Sequence, residues 1–311
     1  MIQSKFSLAD LLTVLGTLIF GFFCFFSFNF LTQGDTTTSL VWASVIALVL
    51  GGLAFGAKLL KRTSRNFKTY IIWEWILLFF FVLIGLIAIF PFSHYFAVSE
   101  QKEEIQQQLI SNITQAESMF VKYEEYANNR IDLYKNKLNS IVKAKNDGVN
   151  DSDYIKCNFD DVINGYTQSE SKVFTLIAHL YPSNYQEMEQ VDSIWLADSK
   201  KAVDDWSPTG VVKVMNTVKI EVQDWNNQLA KFTSYIADCE NPPSSFDPLI
   251  PDFKVNNDKF INLQQPIPLS IGIAFGLYVF MLLSYFITKR HTRFPGFKAI
   301  FGNSIYRDNQ L

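Results

Sequence analysis

Few side chains in this 311-residue chain have the types and spacing that chemistry needs. His94, His179 and His291 are expected at the outer membrane surface, in a bundle helix and in a cytoplasmic tail, so no two are expected to share a relay or a metal. No His, Cys and carboxylate grouping has metal-ligand spacing. No glycine-rich phosphate loop or nucleophile elbow occurs. The acid pairs Asp160-Asp161 and Asp204-Asp205 are adjacent, so on a helix they point apart rather than flank a substrate. The expectation is a protein with no catalytic, cofactor-binding or metal-ligating set.

Two features keep chemical content. Glu74 is an ionisable residue inside an apolar run, which in a membrane marks a functional candidate. Trp73 and Trp75 flank it and mark headgroup depth, where its carboxylate is expected to reach water or pair with Lys58 or Lys68. Cys157 and Cys239 can pair in an oxidising compartment, closing a loop that the chain-entropy model values at about 4 kcal/mol. The alternative is two unpaired thiols, and Cys24 lies in an apolar run. The alternating acids of 146–153 lack the glycine and final glutamate of a calcium loop, and read as a turn. Two sequons, at Asn112 and Asn150, carry meaning only in a eukaryotic secretory membrane.

The elements that position these residues are legible from hydropathy. Stretches 11–31, 40–57, 70–92 and 267–287 are almost wholly apolar, and each has about the 20 helical residues a bilayer requires. The phenylalanines between Phe20 and Phe30 suit lipid better than a soluble core. The first stretch lacks a small-x-small cleavage site, so it reads as a span rather than a removed leader. Gly52 and Gly56 in the second span, and Gly272 and Gly276 in the fourth, are four apart. Such spacing lets helix backbones approach closely, on each other or on a second copy.

Lys58, Lys61, Arg62, Arg65 and Lys68 separate spans two and three, and Lys289, Arg290, Arg293, Lys298 and Arg307 follow span four. The loop between spans one and two carries Asp35 alone. The positive-inside rule then puts both termini in the cytoplasm and the long segment between spans three and four outside. That segment holds 26 acidic against 16 basic residues, a formal charge near −10. Such acidity argues against nucleic acid or an anionic lipid surface as its partner.

Within 93–240 the pattern is helical. Val211, Val214, Val218, Val222, Trp225, Leu229, Phe232 and Ile236 predict a rod over 208–238, capped by Ser207 and stopped by Asn241-Pro242-Pro243. Leu109, Ile113, Ala116, Phe120, Tyr123, Ala127, Tyr134, Leu138 and Ile141 predict a second over 99–144, with Arg130 interrupting its seam. Pro91 either kinks the entry to this helix or lies within a continuous stalk. Shorter helices are expected over 168–180 and 184–205. The six prolines between Asn241 and Pro268 make 241–266 an extended connector. The basic, aromatic tail 288–311 is expected on the inner leaflet or on a cytoplasmic partner.

The fold expected is all-α: a four-span membrane protein with a helical-bundle or coiled-coil domain of up-down-up-down helices between spans three and four. In it the two long rods pack antiparallel, with Trp225 and Phe232 in the core. The compact layout suggests a bacterial inner membrane. The leading function is a non-enzymatic subunit whose outer bundle meets a protein partner or another copy. A bundle between two spans resembles, in architecture alone, the ligand-binding module of bacterial chemoreceptors and sensor kinases. A sensor is therefore the alternative, although no output domain follows span four. A pore is the third, with Glu74 its sole support.

Overall fold

A computed structural model describes residues 7–62, 67–149, 152–248 and 250–289, with the backbone alone for Phe67 and Lys68. Of the expected 146–153 turn, 147–149 form a turn and bend, while residues 150–151 with the Asn150 sequon, and the tail from 290 onward, lie outside the described residues. The described residues form helices without strands and divide into two compact units, residues 1–103 with 257–311 and residues 104–256.

The first unit holds four helices long and apolar enough to cross a bilayer: α1 (Leu8–Leu31), α2 (Thr36–Arg62), α3 (Phe67–Glu100) and α10 (Pro268–Ile287). Three are longer than hydropathy alone delimits. The polar starts of α1 and α2 are helical too, because side chains cap them. Ser7 accepts from the Asp10 amide while the Asp10 carboxylate accepts from the Ser7 amide. Asp35 accepts from the amides of Thr37 and Thr38 at the start of α2. The Thr38 hydroxyl also donates to Asp35, and this bond first, then the amides, lowers its pKa below the usual carboxylate range. Pro91 sits inside α3, which continues to Glu100, so residues 93–103 belong to the membrane unit rather than to the bundle.

Of the four motif glycines, Gly56 alone makes a close helix contact within the described residues. A Cβ on Gly52, Gly272 or Gly276 would meet open space, and one on Gly56 would touch Leu77 of α3. The other close approaches fall elsewhere. Gly16 lies against the α10 backbone at Leu277, Gly21 against Ala43 and Ala47, Gly51 against Thr17, and Gly85 beneath the Tyr278 ring. Four-residue spacing identifies a smooth face, but the partner's shape decides which glycine is covered.

In the second unit α4 (Lys102–Asn146), 45 residues and so roughly 67 Å long, is the spine. Gln101 separates it from α3. After α5 (Ser152–Lys156), α6 (Gly165–Leu180) descends beside the C-terminal half of α4: Ser169 bonds Asn139, and the Tyr123 hydroxyl bonds the Leu180 carbonyl. The break at Tyr181-Pro182 does not reverse the chain. Helix α7 (Ser183–Asp204) continues downward along α4, from the Phe120–Tyr185 ring contact to Gln106, which donates to the Val203 carbonyl. The chain reverses at Ser207-Pro208, where α8 (Pro208–Thr233) turns back.

This corrects the expected topology. Helix α8 runs parallel to α4, with Trp225 opposite Phe120, Phe232 opposite Tyr123 and the Thr233 carbonyl at Arg130. The bundle has three arms, α4, α6 with α7, and α8, because the two middle helices form one broken arm. Its seam uses Val211, Met215, Val218, Val222, Trp225 and Leu229, with Met215 deeper than Val214. Helix α8 stops at Thr233 instead of 238, leaving Ile236 exposed. The carbonyls of Thr233, Tyr235 and Asp238 are taken by Arg130 and Tyr134, which replaces the helix ladder. The expected connector also holds a helix, α9 (Lys254–Ile261), in a proline-free interval.

Candidate functional site

Three regions carry polar or exposed groups that packing alone does not require. The first is one end of the four-span unit. Asp10, 3% exposed, pairs with Lys58 and accepts from the Ser284 hydroxyl. Glu74 accepts from the Tyr285 hydroxyl at 2.7 Å, and Lys61 donates to the Tyr285 carbonyl at 2.8 Å. Two carboxylates from α1 and α3 thus hold consecutive residues of α10. Glu74 is fully buried, which corrects the expectation that it reaches water, while the Lys68 side chain lies outside the described residues. Asp10 takes Lys58 instead, while the exposed Trp73 and Trp75 lie on the other faces of α3. Asp10 is not among the residues singled out by hydropathy or spacing. Its signal was an acid in the first turn of one apolar helix and a lysine in the last turns of the next.

At the opposite end of the same unit the bonds are neutral. Ser93 meets Ser270 at 2.5 Å, and His94 bonds the Phe260 carbonyl through Nε2 and the Gln264 amide through Nδ1. Accepting at Nδ1 fixes His94 as the Nε2–H tautomer. Phe30 covers it from α1. His94 is therefore a satisfied structural residue that docks the 260–264 segment.

The second region is where α8 ends. Cys157 and Cys239 are bridged, with Cα atoms 5.3 Å apart. Cys239 adopts φ +63°, and the next residue, Glu240, forms a buried pair with Arg130. Bonding to Glu240 raises the Arg130 pKa further, and the guanidinium also donates to the carbonyls of Thr233 and Tyr235. The interruption in the α4 seam is thus the residue that stops α8. Beyond Glu240 the prolines form a strap laid back along α4. Lys137 donates to Asn241, Tyr126 to the Ser244 carbonyl and Asn112 to the Asp252 carbonyl. Phe246 sits 5.3 Å from both Tyr123 and Tyr126. The Asn112 sequon is engaged in this strap. Burial and the charges of Asp238 and Glu240 push Tyr134 up to about 12, so its hydroxyl stays a donor.

The third region joins α4 to α6. Val149, Ile155, Val162, Ile163 and Tyr166 are all exposed, Val162 at 92%. Their segment is braced. Tyr154 stacks on Phe159 at 4.6 Å, and Gln168 bonds the Asp160 amide and the carbonyls of Asp160 and Ile163. Gly165 leaves the room that Val142 and the Tyr154 hydroxyl fill. Nearby charges are matched, Lys145 with Asp161 and Lys156 with Asp153.

His179 stacks on Tyr235 at 3.7 Å and bonds the Thr175 carbonyl, with no acid or nucleophile among its hydrogen-bond partners. Asp192 on α7 has its pKa raised to about 6, first by burial and then by Glu221 and Asp224. No group of three or more possible metal ligands occurs among the described residues. The fold defines an all-helical, multi-pass membrane protein with four apolar helices. Compared with protein-family models, curated proteins and solved structures, the chain matches none.

Proposed function

We propose that the chain is a non-enzymatic integral membrane subunit whose three-arm bundle binds a protein through the braced turn between α4 and α6. The bundle lies outside the cytoplasm in this reading, in a bacterial inner membrane, with both termini inside. Support for the orientation comes from Lys58, Lys61 and Arg62 at one end of the four-span unit and from a disulfide suited to an oxidising compartment. The observation that carries the docking is the set of five exposed apolar side chains on a segment held by the disulfide and by Gln168. Soluble surfaces tolerate scattered apolar residues, but a cluster between Val149 and Tyr166 marks an interaction site. Bracing reduces the ordering cost of binding.

A photo-crosslinking residue at Val162 tests this in native membranes. A discrete adduct is expected there, with a second copy or another protein, and none at the exposed Lys213. No adduct at Val162, or equal adducts at both positions, overturns the reading.

A sensor is the second reading, favoured by the strap. Residues 241–252 are pinned to α4 at both ends and lead through α9 into α10. A ligand that changed the fit of the strap would act on the chain entering the fourth span.

A further inference from the structure

We infer that the cleft between α4 and the proline strap is a binding site for a small organic carboxylate with an apolar body. The site is argued from its own walls, and its consequence rests on the sensor reading above. The cleft encloses about 290 Å³, the small end of the range for ligand cavities. One wall is α4, with Tyr126, Leu133, Tyr134 and Lys137; the other is the strap from Glu240 to Ser244.

The polar groups of this cleft divide into spent and open ones. Both Glu240 oxygens are occupied, by Arg130 Nε and Nη2 and by the Ala237 amide. The one acid lining the cleft is thereby neutralised by the one arginine. Lys137 is different. Its ammonium donates to the neutral Asn241 Oδ1 at 2.7 Å and has no carboxylate partner among the described residues. Two of its three N–H donors are left for a ligand. Asn241, accepting through Oδ1, keeps its amide N–H donors beside the same point. A cation and an amide donor side by side recognise a carboxylate.

The rest of the cleft asks for an apolar body. Leu133 is 64% exposed, and the rings of Pro242 and Pro243 face the same space. Tyr126 and Tyr134 donate their hydroxyl protons to the Ser244 and Asp238 carbonyls, so they offer the ligand flat rings and acceptor lone pairs. An acid of four to six carbons, with or without an α-amino group, satisfies both halves. Held there, it bridges the spine to the strap.

The test uses the full-length protein in detergent micelles, with 4-methylpentanoate and L-leucine as probes and 4-methylpentanamide as the neutral control. Saturable binding of at least one acid by ligand-observed NMR is expected, with about tenfold loss in Lys137→Glu and a smaller loss in Lys137→Gln. The amide is expected not to bind. Slower hydrogen exchange in 241–252 on binding is the expected consequence. Equal binding of the amide overturns the carboxylate assignment. Acid binding that ignores both Lys137 variants puts the ligand elsewhere and overturns the site, as does no acid binding up to about 10 mM. Binding with unchanged exchange in the strap supports the site and removes the sensor reading. Absence of binding leaves the docking at Val162 untouched.

Discussion

The four-span unit and the three-arm bundle solve the same problem, joining helices, with different balances of material. In the four-span unit small residues admit their neighbours closely, Gly16 the α10 backbone, Gly21 Ala47, Gly51 Thr17 and Gly85 the Tyr278 ring, beside the buried stack of Phe20 on Phe92. A few buried polar groups, Asp10 with Lys58 and Glu74 with Tyr285, hold the ends in register. In the bundle the arms are held apart by large rings, with Trp225 between Phe120 and Trp195 and Tyr123 between Tyr185 and Phe246. Water drives the second kind of packing by apolar burial; lipid offers no such drive, so fit and polar bonds take over in the first.

The largest test of this contrast is Asp10→Ala. It leaves the Lys58 ammonium and Ser284 without their shared acceptor and is expected to destabilise the four-span unit by about 3 kcal/mol or more. Unfolding in mixed micelles measures it, and Asp10→Leu with Lys58→Met is expected to recover most of the loss. In the bundle Trp225→Ala is expected to cost about 3–5 kcal/mol, since a large cavity opens among rings that cannot collapse. Replacing Cys157 and Cys239 together by serine is expected to cost about 2–4 kcal/mol. Both losses are read by hydrogen exchange in α4 and α8, with α1 and α2 unchanged.

A smaller effect separates the two kinds of glycine. Gly21→Leu, which meets Ala47, is expected to cost about 1–3 kcal/mol by overpacking, whereas Gly276→Leu is expected to be within about 0.5 kcal/mol of neutral. Equal costs in a micelle unfolding series would mean that the motif face is covered in the assembled protein.

The smallest effect is electrostatic. Asp192 has a folded pKa of about 6, above its unfolded value. Its proton is held in the folded state, so this contribution is full at pH below 4 and is lost as pH rises toward 6. Asp192 is partly exposed, and solvent screening cuts this contribution to the order of 1 kcal/mol. Asp192→Asn is therefore expected to melt higher than the wild type at pH 7, with the gap closing by pH 4. A gap that is constant with pH contradicts the assignment.

Hydropathy made the four apolar helices legible, and the heptad steps of Leu109 to Ile141 named nearly every buried residue of α4. Periodicity reports a face and not a direction. Nothing in the α8 seam distinguishes a parallel from an antiparallel neighbour, and Tyr181-Pro182 breaks a helix without reversing the chain. Arg130 stood out as an interruption, but its partner Glu240 is 110 residues away, and no local pattern links them. The prolines after Asn241 announced an extended chain without saying that Tyr126 and Tyr134 would receive it. Asp10 and Lys58 are separated by two apolar helices and become neighbours only once the short 32–35 turn makes those helices antiparallel.

The proposed topology puts the bundle across the membrane from the basic loop. A membrane-impermeant thiol reagent measures this directly, because Cys157 and Cys239 are bridged and Cys24 is buried, leaving little native background. In intact cells Val162→Cys is predicted to label at once, and Arg62→Cys only after the membrane is opened. Labelling of Arg62→Cys from outside, or protection of Val162→Cys until lysis, would contradict it.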